Sequence, residues 1–287
     1  MKFCRFNDNR VGVVRDDVVY DVTAALDDLP SYQYAFPRGD AIVSNLDSLR
    51  PKMEKLADSA EGIPVADCKF LSPVANPTKV IGVPQNYQDH ADEARADQGI
   101  SFGGPPRKME DQGLFLKANS ALIGPSEGVD LRFPDRRTDH EAELGMIIGK
   151  KCSDVSYEDA MSNVAGWAIA LDMVVRGKED RSFRKSVDTY AVLGPWMVTA
   201  DEIAEPGNLD FSLTIDNEIR QENNTKNLIL DLPGQIVWAS KFYTLHPGDI
   251  IMSGTCAGVS RVKDGDVMHL TFEGIGEMDV PVRDQNA

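Results

Sequence analysis

The segment His140-Glu141-Ala142-Glu143-Leu144-Gly145-Met146-Ile147-Ile148-Gly149 sets two carboxylates two residues apart at the head of an apolar run. Side chains on a strand alternate between faces, so Glu141 and Glu143 point one way and Ala142, Leu144, Met146 and Ile148 the other. Like charges that close stay together when a cation lies between them, when a proton is shared, or when both reach open water. The apolar residues that follow argue against open water. A third carboxylate stands in Gly166-Trp167-Ala168-Ile169-Ala170-Leu171-Asp172-Met173-Val174-Val175, where Asp172 is the sole charge. Such a run reads as a strand covered on both faces, and Ala168 and Ala170 leave room beside the aspartate. An ionised carboxylate there is costly unless paired or coordinated. Three oxygen donors without a thiolate suit a hard divalent ion, Mg²⁺ or Mn²⁺ before Ca²⁺, with water or substrate completing the shell. The competing reading of Glu141 and Glu143 is an ordinary solvated strand face.

Other groups could take part. If the chain is helical from about Tyr87, His90 and Glu93 share a face at i and i+3, where a carboxylate can hold an imidazole and raise its basicity. That describes a general base or, equally, a surface pair on an acidic helix. Residues 94–113 are polar and rich in glycine and proline, including Gly103, Gly104, Pro105 and Pro106. Such a loop can serve as a lid over substrate or be a surface insertion. Lys117 sits in the short apolar strand Leu114-Phe115-Leu116-Lys117. Residues 175–186 form the strongly basic stretch of the chain; beside a metal site, Arg176 and Lys185 could hold a substrate carboxylate or stabilise negative charge, and otherwise the run is a solvated face. Ser253-Gly254-Thr255-Cys256-Ala257-Gly258-Val259 can bring backbone N–H groups and the Thr255 hydroxyl close to a ligand.

The elements that position these groups follow from patterning. Residues 2–6, 10–15 and 18–22 read as short strands, with Thr23 able to cap a short helix. A helix is expected over 44–61 from Leu46, Leu49, Met53 and Leu56, with Pro51 in its first turn. Turn-formers concentrate at 72–78, which divides a small N-terminal domain, 1–72, from a main domain, 73–287. Ser156 and Asp159 read as the start of a helix to about 164, so the Glu143 and Asp172 strands are joined by strand, helix and strand. A hairpin near 211–221, a helix over 232–242 and strands at 250–252, 267–272 and 278–282 complete the pattern. His140, His246 and His269 lack a partner pattern and read as structural.

With 30 basic and 46 acidic residues among 287, the net charge of −16 argues against nucleic acid or anionic membrane as a partner. No apolar run approaches the roughly 20 residues that span a bilayer. The N-terminal residues carry no apolar secretory segment, and Cys4, Cys68, Cys152 and Cys256 have no framework spacing, so reduced thiols in a cytoplasmic protein are expected.

Several motifs then fall into a known order: Asn-Tyr-x-x-His-x-x-Glu from Asn86, Phe-x-Lys ending at Lys117, Glu-x-Glu-Leu from Glu141, Asp-x-x-x-Arg from Asp172, Lys-Ser-x-Asp-Thr from Lys185, Leu-Gly-Pro-Trp from Leu193, and Pro-Gly-Asp-x-Ile followed by Gly-Thr-x-x-Gly from Gly254. From about residue 72 onward the chain resembles the fumarylacetoacetate hydrolase family. The resemblance implies an α+β, predominantly β fold: a mixed β-sandwich roll with a small N-terminal α/β domain, usually as a homodimer. It implies Mg²⁺ or Mn²⁺ held at Glu141, Glu143 and Asp172, a catalytic His90–Glu93 pair with Lys185, and substrate contacts at Lys117, Arg176, Glu179 and Thr255. Members act on small anionic oxo acids by acylpyruvate-type C–C hydrolysis, decarboxylation or isomerisation, because an ion chelated by a 2-oxo acid stabilises the enolate left when the neighbouring bond breaks. Hydrolysis of a diketo acid from aromatic or sugar-acid breakdown is the first expectation. A decarboxylase or isomerase on the same scaffold is the alternative, and a non-catalytic oxo-acid binder is another. The chain departs from the family pattern at Glu179, where members often have glutamine, at Cys256, commonly proline, and at Ala118.

Overall fold

The computed structural model describes residues 1–101 and 109–284. Its centre is the strand Ala142–Ile148, every residue of which is buried. It pairs antiparallel with Val164–Asp172 on one side, Glu143 opposite Ala170 and Gly145 opposite Ala168, and with Ile250–Met252 on the other. Among the described residues these belong to a 12-stranded sheet that continues through Ala191–Thr199 to Lys2–Phe6, Arg10–Arg15, Val18–Asp21 and Gly62–Pro64, and through Val80–Gly82 to Phe115–Lys117. The strands of residues 1–72 thus join the main sheet, through Lys2 opposite Val198 and Phe3 opposite Met197.

Both faces of the central strands are covered, as their unbroken apolar sequence requires. On one face Leu144, Met146, Ile169 and Leu171 pack with Leu213, Met268, Leu270 and Val280 of a 5-stranded sheet and with Ile236 and Ala239 of the helix Leu232–Phe242. On the other, Ile147, Ala168 and Ala170 meet Leu193 and Met252, in a core that extends to Leu46, Leu49 and Met53 of the helix Leu46–Ala57. The result is the α+β, predominantly β architecture expected.

Local expectations fared differently. The helices at 41–57 begin earlier because the Asp40 carboxylate accepts from the N–H groups of Ile42 and Val43, and they are two, Ala41–Ser44 and Leu46–Ala57. Pro51 lies inside the second and not in its first turn; Pro51 and Asp47 are both exposed, so water can take the carbonyl that the proline leaves unpaired. Thr23 caps nothing: it opens the 3₁₀ turn Thr23–Asp28, its hydroxyl donating to the Asp21 carboxylate at 2.6 Å. Ser156 bonds the backbone N–H of Asp159 at 3.2 Å, but only the 3₁₀ turn Ala160–Asn163 follows. The Glu143 and Asp172 strands are therefore antiparallel neighbours and not the ends of a helical crossover.

Asp249, fully buried, ties two strand starts together. Its carboxylate accepts from the Thr78 and Lys79 backbone N–H groups, both at 2.9 Å, from the His246 N–H at 2.8 Å, and from the Lys79 ammonium at 2.7 Å. Those bonds align Val80–Gly82 parallel to Ile250–Met252, the strands that lead into the Asn86 and Gly254 segments. Breaking a buried, multiply bonded ion pair from one side costs about 3–5 kcal/mol. Asp249→Ala should lower unfolding free energy by that much in denaturant titrations; an unchanged midpoint would show that the pairing stands without it.

Candidate metal and acid–base centre

The register of the two central strands brings the acidic groups together. Glu143 faces Ala170 across the pair, and the Asp172 N–H donates to the Glu141 carbonyl at 2.9 Å, so Glu141, Glu143 and Asp172 project from one face at one end. One oxygen from each lies within 4.8 Å of the others, and all three residues are buried. The floor beneath is built of small residues. A Cβ on Gly145 would stand 2.7 Å from Leu193 Cδ1 and 3.2 Å from the Ala168 carbonyl oxygen, leaving no room for a side chain there.

Cations surround the cluster. Lys185 Nζ donates to Glu141 Oε2 at 2.5 Å and also to Asp172. Lys117 donates to the other Asp172 oxygen and to the Met173 carbonyl at 3.3 Å. Arg176 bridges Glu141 Oε1 at 3.1 Å and Asp139 Oδ2 at 2.8 Å. Against the cost of burial, Lys185 and Arg176 hold the Glu141 carboxyl down to about 2. Glu143 shifts the other way: burial, then the charge of Asp172, push it well above the usual carboxylate range. It receives the Gly254 N–H at 2.7 Å, but among the described residues no lysine or arginine pairs with it. The unanswered carboxylate, and a donor set made wholly of hard oxygens, fit a divalent cation.

Beside this cluster His90 Nδ1 lies 2.9 Å from Glu93 Oε2 on the helix Gln88–Ala96, and Glu93 Oε1 accepts the Gly258 N–H at 2.9 Å. The helix start is fixed by buried Asn86, whose amide donates to the Ser253 carbonyl at 2.8 Å and the Leu230 carbonyl at 3.0 Å. A cavity of about 90 Å³ is lined by His90, Glu141, Glu143, Asp172, Arg176, Lys185 and Thr255 together with Gln85, Arg181 and Arg184. Larger hollows, such as one of about 660 Å³ beside Met1, Lys2 and Trp196, gather no comparable set of groups.

Not every expected residue reaches this space. Lys117 is wholly buried against Asp172 and does not line the cavity, so it positions a carboxylate where a substrate contact was expected. Glu179 turns its carboxylate to Arg136, at 3.0 and 2.9 Å, and also stays outside. Thr255 lines the cavity with its proton given to the Ala142 carbonyl at 2.9 Å, and it accepts from the Gln221 amide at 2.7 Å. Of the expected lid, Ile100 and Gln112 flank the site, whereas residues 102–108, with Gly103, Gly104, Pro105 and Pro106, lie outside the described residues. Arg181 and Arg184 were hidden in the basic run; Arg181 precedes Lys185 by one helical turn, a spacing that could have marked it. Gln221, which also accepts the Ala142 N–H at 2.9 Å, comes from a distant hairpin and gave no local signal.

Residues 79–283 match the family Fumarylacetoacetate (FAA) hydrolase C-terminal. The chain belongs to the fumarylacetoacetate hydrolase family. Among family relatives, a maleylpyruvate hydrolase of Aquipseudomonas alcaligenes is 50% identical over 285 residues, 99% of each chain. An oxaloacetate tautomerase of Rattus norvegicus mitochondria is 34% identical over 226 residues, 75% of this chain and 69% of its own. The crystal structure of a maleylpyruvate hydrolase from Sphingobium sp. SYK-6 in complex with manganese(II) ion and pyruvate superposes with a TM-score of 0.83 at 39% identity, covering 99% of each chain. Among the described residues no helix is long and apolar enough to cross a membrane.

Gly258 is the backbone point on which Glu93 rests. Its φ is +96° and an added Cβ would fall 1.8 Å from the Arg220 carbonyl oxygen. Gly258→Ala should therefore cost about 1–3 kcal/mol of stability in thermal or denaturant unfolding. A variant as stable as the parent would mean that this backbone is free to adjust.

Proposed function

We propose that this chain is a divalent-metal-dependent hydrolase that cleaves a carbon–carbon bond in an acylpyruvate or related diketo acid of aromatic or sugar-acid breakdown. The carrying observation is the gathering of Glu141, Glu143 and Asp172 within 4.8 Å in the cavity that His90 and Lys185 also line. Similarity to the two maleylpyruvate hydrolases over nearly the whole chain supports the reading.

In this reading the three carboxylates hold Mg²⁺ or Mn²⁺, which supplies charge neutralisation and polarisation of a chelating 2-oxo carboxylate. The remaining steps belong to the chain's own side chains. Glu93, held by the Gly258 N–H, accepts the Nδ1 proton of His90 and so leaves Nε2 as a base for water. His90 takes a proton as the water oxygen bonds to the distal carbonyl carbon; the bond from that carbon to the methylene breaks, and its electron pair leaves as the enolate of pyruvate. The proton on His90 then passes to the enolate carbon. Lys185 stabilises the developing negative charge, while Lys117 holds Asp172 and Arg176 holds Glu141. The tautomerase relative favours a second reading, in which the same enolate is reprotonated without C–C cleavage. A non-catalytic oxo-acid binder loses its rationale, since Glu179 is engaged with Arg136. We further infer a cytoplasmic homodimer in which residues 1–72 form a small supporting N-terminal domain and 73–287 carry the chemistry.

Loss of the ultraviolet absorbance of an acylpyruvate should require added Mg²⁺ or Mn²⁺ and stop with EDTA. His90→Ala should lower kcat by about 100-fold or more with Mn²⁺ affinity retained, and Glu143→Ala should lose that affinity. Turnover indifferent to EDTA, or oxaloacetate conversion far outpacing cleavage of every diketo acid, would overturn the hydrolase reading.

A further inference from the structure

We propose that Gln221 holds the Thr255 hydroxyl as an acceptor with no proton to give into the cavity, and that Thr255 Oγ1 and His90 Nε2 together orient the attacking water. The inference rests on the hydrolase reading and adds two residues to it. Thr255 touches a reacting atom, and Gln221 is a positioning residue behind it.

Gln221 belongs to the strand Glu218–Asn224 of the 5-stranded sheet, and its buried side chain reaches the Gly254–Gly258 segment. Its amide can point only one way. One end meets the Ala142 N–H at 2.9 Å, a donor that the amide oxygen alone can answer. The other meets the Cys256 carbonyl at 2.9 Å, an acceptor that the amide NH₂ alone can answer. The same amide oxygen accepts from His140 Nδ1 at 3.0 Å, which fixes the orientation a second time. The remaining amide hydrogen goes to Thr255 Oγ1 at 2.7 Å. Thr255 in turn gives its single hydroxyl proton to the Ala142 carbonyl at 2.9 Å. With that proton spent and one lone pair taken, the hydroxyl keeps one lone pair, and Thr255 lines the cavity that His90 also lines.

An acceptor of this kind suits water as a nucleophile. Water attacks a carbonyl carbon through a lone pair, so a site serves it best by accepting both of its protons and leaving the lone pairs to the reaction. A hydroxyl that donated to the water would tie up the electrons needed for attack. His90 Nε2 takes one proton as the oxygen–carbon bond forms. The other stays on that oxygen, held toward Thr255 Oγ1, and leaves as the hydroxyl hydrogen of the acid product. The two acceptors share one stretch of backbone: Gly258, three residues after Thr255, gives its N–H to Glu93 at 2.9 Å, and Glu93 holds His90 Nδ1 at 2.9 Å. Protonation of the pyruvate enolate, the later half of the reaction, uses His90 and no water. Thr255 therefore serves the first half and not the second.

Two reactions of the Mg²⁺-loaded protein separate these halves. Cleavage of an acylpyruvate, followed by ultraviolet absorbance, needs the water; exchange of the methyl hydrogens of pyruvate for deuterium, followed by proton NMR in D₂O, needs only the enolate half. Thr255→Val keeps the shape and removes the acceptor. It should slow cleavage about tenfold or more, with exchange and the calorimetric affinity for pyruvate within about twofold of the parent. Thr255→Ser should stay within about threefold in both reactions, and Gln221→Met should slow cleavage about threefold or more while sparing exchange. His90→Ala should lose both. Cleavage, exchange and pyruvate affinity falling together in Thr255→Val would make the residue a mere support of the loop that holds Glu93 and Glu143, and cleavage unchanged in that variant or in Gln221→Met would make its hydroxyl idle or its orientation irrelevant; each result overturns the proposal. If Gln221→Met does not fold, the Thr255→Val and Thr255→Ser pair decides it, and if the parent cleaves without measurable exchange, retained pyruvate affinity against slowed cleavage takes the place of exchange. A parent that exchanges pyruvate but cleaves no acylpyruvate removes the hydrolase reading and the water's role with it. A parent that cleaves, with both rates falling alike in Thr255→Val, removes only the role given to Thr255.

Discussion

Three carboxylates buried within 4.8 Å of one another repel strongly in a medium that screens them poorly, and the structure around them is arranged to contain that repulsion. Two lysines and an arginine neutralise Glu141 and Asp172 from the sides and from beneath, while Glu143 receives only a backbone N–H. The compensation is therefore uneven. A fully satisfied set of ion pairs would be inert, whereas this one leaves Glu143 on the cavity wall without a cation, where burial and the charge of Asp172 disfavour its ionised form. That asymmetry is the feature of the cluster that fits a divalent ion better than a buried salt-bridge network does.

The sheet supplies the rigidity this demands. Antiparallel pairing fixes Glu141 and Asp172 at the same level and Glu143 one pleat further in, so the separation of the three groups is set by strand geometry and not by side-chain choice. Gly145, Ala168 and Ala170 keep the face below them thin, and the apolar layers on both sides hold the strands still. A loop could present three carboxylates, but it would let them swing apart to lower their repulsion.

Much of this was legible in the sequence because it depends on period and polarity. Glu-x-Glu ahead of an apolar run and a lone aspartate inside another announce a shared face, and the helix Leu232–Phe242 and the strand Ile250–Met252 follow their patterns to the residue. What patterning could not supply was the partner across space. Lys117 reads as a substrate ligand until the fold puts Asp172 against it, and Glu179 reads as a pocket residue until Arg136, 43 positions away, claims its carboxylate. The antiparallel meeting of the two acidic strands was missed because Ser156 and Asp159 carry a convincing helix-start signal, yet the segment after them closes into a 3₁₀ turn. Local signals of that strength yield when the chain has only a short span in which to reverse and rejoin its own sheet.

The segment from Gly254 to Gly258 links the two chemical halves of the site. The N–H of Gly254 meets Glu143 and the N–H of Gly258 meets Glu93, while the Thr255 hydroxyl between them anchors on the Ala142 carbonyl. Both glycines have φ of +96°, a backbone state that side chains resist, so the loop presents its donors in directions an ordinary segment could not hold. The distance between the carboxylate cluster and the His90 imidazole is thus governed by one short backbone path. The wall that carries Arg181 and Arg184 hangs from a different element, the helix Arg181–Lys185, and makes none of these bonds. That helix reaches the acidic cluster by another route, through Lys185, whose ammonium donates to Glu141 and Asp172.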